Sequence, residues 1–142
     1  MTATNKTTIT VEALVNAPIE KVWECWTEPE HITQWNQASD DWYCPKGVND
    51  LRPGGKFSFT MAARDGSMEF DFAGVYDEVK THEKIAYTLG DERKVEVIFS
   101  KEGASTKIVE NFEAENIHSH EMQRAGWQAI LDNFKKHAEQ FD

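Results

Sequence analysis

The sequence is short of cysteine, of positive charge and of long apolar runs, and each shortage excludes something. Cys25 and Cys44 are the only cysteines and belong to no CxxC pair, which fits a reducing cytoplasm. Lys and Arg number 15 against 25 Asp and Glu, a formal charge of −10 that repels nucleic-acid phosphate and anionic lipid. Apolar runs extend only a few residues, too short to span a membrane, and the polar opening Met1 to Thr8 lacks the basic start and apolar core of a signal peptide. GxSxG, Walker and GxGxxG motifs are absent, as is Cys/His zinc spacing, so no nucleophilic, nucleotide or metal cofactor chemistry is signalled. Repeats, linkers and low-complexity segments are missing too. A single soluble domain of 142 residues with its core at about 8–141 is the expectation.

What the chain does have is aromatic mass, with five Trp and eight Phe in a composition 39% hydrophobic. The clearest periodicity lies at the end. From Ser119 to Phe141 the residues Trp127, Ile130, Leu131, Phe134, Ala138 and Phe141 recur at steps of three and four and share one helical face. Burying the five bulkiest at roughly 1.5–3 kcal/mol each would make docking of this helix a major source of stability. Before Trp127 the same face thins to Met122, Ala125 and Gly126, which suggests a cavity beneath it.

The rest reads mostly as sheet. Ile9, Val11 and Val15 give the period of a half-buried strand over Thr8 to Asn16. Pro18, with Glu20 in the first turn and Ile19, Val22, Trp23 and Trp26 on one face, predicts a short helix; Pro29, with Glu28 as a cap candidate and Ile32 and Trp35, predicts another over Thr27 to Trp35. Asn36 to Asp50 shows no period and is expected to be a loop that could act as a flap. Turn chemistry at Arg52-Pro53-Gly54-Gly55 and Asp65-Gly66 brackets alternating Phe57, Phe59, Met61 and then Met68, Phe70, Phe72, a hairpin, with a change of parity that places a bulge near Gly74. Strands follow at Ile85 to Leu89 with Tyr87 inward, at Lys94 to Ser100 with Val95, Val97 and Phe99 inward, and at Thr106 to Glu113. Short links between them require antiparallel neighbours. The fold class is α+β: an antiparallel sheet of six or seven strands, two short helices after the first strand and one long C-terminal helix.

Glu110 shares parity with Thr106, Ile108 and Phe112, which turns an isolated carboxylate toward the inner face. There it would carry a raised pKa and serve as a weak catalytic candidate, unless a bulge turns it outward or it pairs with Arg124 or Lys94. His118, His120 and Glu121 do not share a helical face and form no HExxH-like metal site. Cys44, beside Tyr43 and Pro45, has no neighbour that would activate its thiol, and Cys25 reads as core. Residues expected to line a ligand cavity, from parity alone, are Trp35, Phe59, Met61, Phe70, Phe72, Tyr87, Val97, Phe99, Glu110, Met122, Gly126 and Trp127.

The landmarks Ala17-Pro18 with Val22-Trp23, Pro29 with Trp35, Asp50-Leu51-Arg52-Pro53-Gly54-Gly55, Asp65-Gly66, Gly74-Val75, Tyr87-Thr88, Thr106 and Gly126-Trp127 occur in a distinctive order. Through them the chain resembles the START-like SRPBCC superfamily, and within it the family named after the C-terminal domain of the heat shock protein 90 ATPase activator. The resemblance spans roughly Thr8 to Phe141 and implies a helix-grip fold, a bent antiparallel sheet wrapped around the C-terminal helix with a hydrophobic cavity between them. Three functions are compatible with these features: a non-enzymatic binder of a small hydrophobic molecule, a cyclase- or hydratase-type enzyme using Glu110, and a co-chaperone-like module with a heat shock protein 90 partner. The first is preferred because no catalytic constellation is present. Edge strands and the aromatics of Trp35 to Tyr43 could also make a homodimer.

Overall fold

The computed structural model describes residues 7–37, 40–115 and 118–140. Strand β1 (Thr8–Val15) leads into helices α1 (Ile19–Thr27) and α2 (Pro29–Trp35). Six strands follow: β2 (Trp42–Asn49), β3 (Lys56–Ala63), β4 (Glu69–Lys80), β5 (Lys84–Leu89), β6 (Lys94–Glu102) and β7 (Ser105–Glu113). Helix α3 (His120–Gln140) closes the described chain. All strands join one antiparallel sheet in the order β1-β7-β6-β5-β4-β3-β2. The first strand thus pairs with the last, and the two short helices carry the chain across to the opposite edge. The whole is the α+β helix-grip arrangement.

Local chemistry starts each helix where the sequence indicates. Pro18 precedes α1 in extended conformation, and its carbonyl accepts from the amides of Lys21 and Val22 at 3.1 and 3.0 Å. At α2, Glu28 occupies the cap position but its side chain makes no capping bond; its carbonyl instead accepts from His31 and Ile32. Helix α2 is correspondingly shorter than the predicted Thr27 to Trp35. The Ser119 hydroxyl accepts from the amide of Met122 at 3.1 Å and caps α3.

The stretch Asn36 to Asp50 is not simply a loop. Its second half is the edge strand β2, paired with β3 from Trp42↔Ala63 to Asn49↔Phe57. The register slips between Tyr43 and Lys46, around Pro45. A bulge with a proline at a sheet edge removes the alternation by which a strand is read from sequence. Cys44 within it is buried, its thiol pKa raised by that burial, so its environment does not activate it.

The bulge expected near Gly74 also moves, to the register shift between Tyr76 and Glu78. Gly74 is required for another reason: a Cβ there would stand 2.6 Å from the Thr88 carbonyl oxygen and 2.9 Å from Phe57 Cζ. At the turn before β3, Gly54 takes φ +84° and donates to the Tyr76 carbonyl at 2.8 Å, which fastens the Arg52-Pro53-Gly54-Gly55 turn to β4. Phe57 thus packs against bare backbone at Gly74 of the neighbouring strand, its register partner.

Helix α3 packs chiefly on β1, α1 and α2. Leu131, Phe134 and Ala138 are fully buried, whereas Trp127 and Ile130 are half-buried. Phe141, expected on the same face, lies outside the described residues. Rings of Trp26 and Trp35 stand 4.8 and 4.9 Å from Phe134, and Trp26 meets Phe99 edge-on at 5.7 Å. This aromatic knot clamps the second half of the helix. The substitution Gly74→Ala is expected to destabilise the protein by about 1–3 kcal/mol through overpacking against Thr88 and Phe57, measured as a lower urea midpoint with unchanged slope.

Candidate functional site

The first half of α3 stands off the sheet and a cavity of about 470 Å³ lies beneath it. Trp26 and Trp35 of the knot line the cavity, together with Ile32 of α2 and Ile130 of α3. Strands β3 and β4 contribute Phe57, Phe59, Met61, Phe72 and Tyr76. Tyr87 and Ile85 of β5 and Glu110 of β7 form the rest of the sheet wall. At the other end Phe70 and Met122 are largely exposed and, with Arg93, Glu115 and His118, make a mixed mouth.

Trp127 closes the cavity roof. Its indole stacks on Phe112 with ring centroids 4.0 Å apart and planes at 8°, and meets Phe72 edge-on at 6.1 Å. Gly126 beside it faces open space, with nothing within 4 Å of where a Cβ would lie. Buried Gln123 fixes the entrance. Its amide nitrogen donates to the carbonyls of Glu115 and His118 at 3.1 and 2.9 Å, and its oxygen accepts from the Glu115 amide at 2.9 Å. His118 in turn lies 3.0 Å from the Glu115 carboxylate, so its place is the cavity mouth, while His120 faces solvent.

Glu110 points inward, as its parity requires. It is 5% exposed, and among the described residues its carboxyl has no hydrogen-bond or ion-pair partner. The pairings considered for it do not form: Lys94 bonds Thr88 Oγ1 through Nζ, and Arg124 is exposed. Burial, which disfavours the anion, pushes its pKa up to about 8. Tyr87 is raised as well, first by burial and then by the nearby Glu110 charge. Tyr76 is also raised by burial, although its hydroxyl donates to Asn49 Oδ1 at 2.6 Å. The cavity thus presents aromatic walls and a carboxyl that stays protonated near neutrality, able to donate one hydrogen bond inward.

Ten of the twelve residues expected to line a cavity do so: Trp35, Phe59, Met61, Phe70 and Phe72 from one side, Tyr87, Glu110, Met122, Gly126 and Trp127 from the others. Val97 and Phe99 do not. They point inward, but Phe99 is covered by Trp23 at 5.3 Å and by Trp26, and Val97 is wholly buried. The lining residues Phe57, Tyr76 and Ile85 carried a strand-parity signal. Arg93, Glu115 and Gln123 carried none, because the first two reach the mouth from loops and Gln123 is a polar residue, which apolar periodicity does not mark.

A curled antiparallel sheet of seven strands, closed by a long C-terminal helix over an apolar cavity, places the protein in the START-like helix-grip class. The sequence matches the family described as Activator of Hsp90 ATPase homolog 1-like protein over residues 16–139, and the chain belongs to that family. An AHSA1-like protein from Aeromonas hydrophila is 42% identical, with a TM-score of 0.88 over 94% of this chain and 92% of that one. A protein from Cytophaga hutchinsonii is 55% identical, with a TM-score of 0.82 over 93% of this chain and 92% of that one. A more distant Chromobacterium violaceum protein, 21% identical, shares the fold at a TM-score of 0.85 over 95% of this chain and 99% of that one. No match was found among curated proteins.

Two expectations follow from this geometry. Replacing Gly126 by Ala adds a methyl group into open space within a helix, so the variant should gain up to about 1 kcal/mol, read as a raised melting temperature. Glu110 ionises at its ordinary 4.5 in the unfolded chain and at about 8 in the fold. The folded protein therefore holds the extra proton between those values, and the associated stability is fully present below the lower one and lost as pH rises through the upper. Urea titrations should show Glu110→Gln gaining on the parent by a few kcal/mol between about pH 5 and about pH 9, at about 1.4 kcal/mol per pKa unit.

Proposed function

We propose that the protein binds a small, uncharged, largely apolar molecule between the sheet and the first half of α3. The observation that carries this reading is one buried carboxyl, without a hydrogen-bond or ion-pair partner among the described residues, at the inner, apolar end of a cavity of about 470 Å³, a volume within the roughly 300–1,000 Å³ of ligand pockets. Phe57, Phe59, Phe72 and Trp127 would hold the guest by dispersion and exclusion of water, and protonated Glu110 would orient it by donating to a carbonyl or hydroxyl oxygen. A charged ligand is disfavoured at the inner end, because the same burial that keeps Glu110 neutral would penalise any second charge. Two free thiols fit a reducing cytoplasm as the compartment.

Glu110 also supports a second reading, that of a cyclase- or hydratase-type enzyme. A carboxyl with a pKa near working pH inside an apolar cavity is suited to general acid or base chemistry. Recovering any bound molecule after incubation separates the two: an unchanged mass supports binding alone, and a product that disappears in Glu110→Gln supports catalysis. Family membership adds heat shock protein 90 as a partner to test, by pull-down and by stimulation of its ATPase.

Native mass spectrometry and thermal shift against lipids, polyketides and plant phenolics should find a ligand that stabilises the protein. Gly126→Leu, which places an isobutyl group in the open space beside Trp127, should abolish that shift while the fold is retained. Failure of the whole panel to stabilise the protein would count against the proposal, as would binding that survives Gly126→Leu unchanged.

A further inference from the structure

A second constellation lies apart from the cavity, at the junction of the three helices. Cys25 of α1, His31 of α2 and His137 of α3 each offer one ligand atom, and these three atoms all lie within 4.8 Å of one another. Separated by up to 112 positions, they show none of the spacings by which a metal site is read from sequence. We infer that they form a site for a zinc-class divalent transition metal, bound by one thiolate and two imidazoles, which fastens α3 to α1 and α2.

The geometry supports this in three ways. His31 Nδ1 and His137 Nε2 stand 3.0 Å apart, near the separation of about 3.3 Å that two imidazole nitrogens take around tetrahedral zinc at 2.0–2.1 Å. At its widest the set is open by about 1 Å relative to a bound tetrahedron with Zn–S near 2.3 Å, an adjustment within reach of side-chain torsions. On the far side of the His31 ring, Glu24 Oε2 lies 3.5 Å from Nε2. From that carboxylate we assign the His31 proton to Nε2 and its lone pair to Nδ1, the carboxylate–histidine orientation found behind metal ligands. The donor set, a soft thiolate with borderline imidazoles, selects zinc, cobalt or copper over calcium or magnesium. Cys25 is wholly buried and His31 nearly so, while half-buried His137 and exposed Glu24 give access from solvent.

The protons balance simply. In the metal-free protein Cys25 is a thiol, its pKa raised by burial and by Glu24 and opposed by Lys21. His137 is neutral, its pKa lowered by burial and by His31 and Lys21. With its lone pair on Nδ1, His31 accepts the hydrogen bond from His137 Nε2–H in the metal-free protein. Coordination breaks the Cys25 S–H bond, releasing one proton to solvent, and the His137 proton moves from Nε2 to Nδ1 so that Nε2 can donate its lone pair. Three protein ligands leave a fourth position for water or an external donor.

The test uses the full-length protein, reduced and freed of metal by chelation, titrated with Co²⁺ and then Zn²⁺. One Co²⁺ per chain should give a thiolate-to-cobalt charge-transfer band in the near ultraviolet, displaced by Zn²⁺, with one proton released per metal and a raised melting temperature. Cys25→Ser should abolish the charge-transfer band, and Glu24→Gln should weaken binding about 10–100-fold. His137→Asn, at a half-buried position, should weaken it at least as much and keeps the test decisive if Cys25→Ser does not fold. A titration without the charge-transfer band would overturn the proposal. So would a band that survives Cys25→Ser, or affinity unchanged in His137→Asn, which would place the metal on surface histidines such as His118 and His120.

Discussion

The space beneath α3 depends on the helix being clamped by an aromatic knot at one end and propped at the other. Trp26, Trp35 and Phe134 meet at centroid separations of 4.8–5.0 Å, with Phe99 of β6 completing the knot from the sheet side. Edge-to-face aromatic pairs add about 0.5–1.5 kcal/mol each beyond the area they bury. The knot draws residues from α1, α2, α3 and β6 to one place, so the two short helices are more than a crossover between sheet edges. They are the wedge that fixes the height of the lid. Beyond Ile130 toward the N-terminus no equivalent cluster exists among the described residues, and the helix is carried by the Trp127–Phe112 stack and by Gln123 bonded to the loop before it. A helix clamped at one end and propped at the other encloses space.

Much of this was legible because burial imposes a period. The faces of α3 and of β5, β6 and β7 follow their sequence pattern, and β3 does so at Phe57, Phe59 and Met61 although Thr60 and Ala62 are buried as well. The inward Glu110 was visible as the one carboxylate in phase with Thr106, Ile108 and Phe112. Strand β2 was illegible because Pro45 and a bulge disrupt its alternation, and Gly74 was misread because a missing side chain looks the same whether it serves a bulge or a close approach. Parity separates inside from outside and goes no further. It assigned Val97 and Phe99 to the inner face, where they are, but could not show that Trp23 and Trp26 cover Phe99 or that Val97 is wholly buried away from the cavity. The Cys25, His31 and His137 cluster lay beyond any local pattern, since only the docking of α3 brings its last member to the other two.

The cost of the cavity bears on what it is for. Around a truncated core side chain, destabilisation grows by about 24 cal/mol per Å³ of unfilled volume, so a sealed, dry void of 470 Å³ would cost on the order of 10 kcal/mol. That is comparable with the whole net stability of a domain. The polar mouth of Arg93, Glu115 and His118 relieves part of this cost, because it lets solvent enter at one end. The inner wall gains less from that relief: Phe57 and Ile85 offer water no partner, and the polar atoms there are few, the Tyr87 hydroxyl and the Glu110 carboxyl among them. Filling the space with side chains would be the simpler route to stability, and Gly126 is where a larger residue would begin to do so. An apolar guest removes the same cost without changing the sequence, and in doing so it stabilises the fold in proportion to the fit between its shape and the space beneath α3.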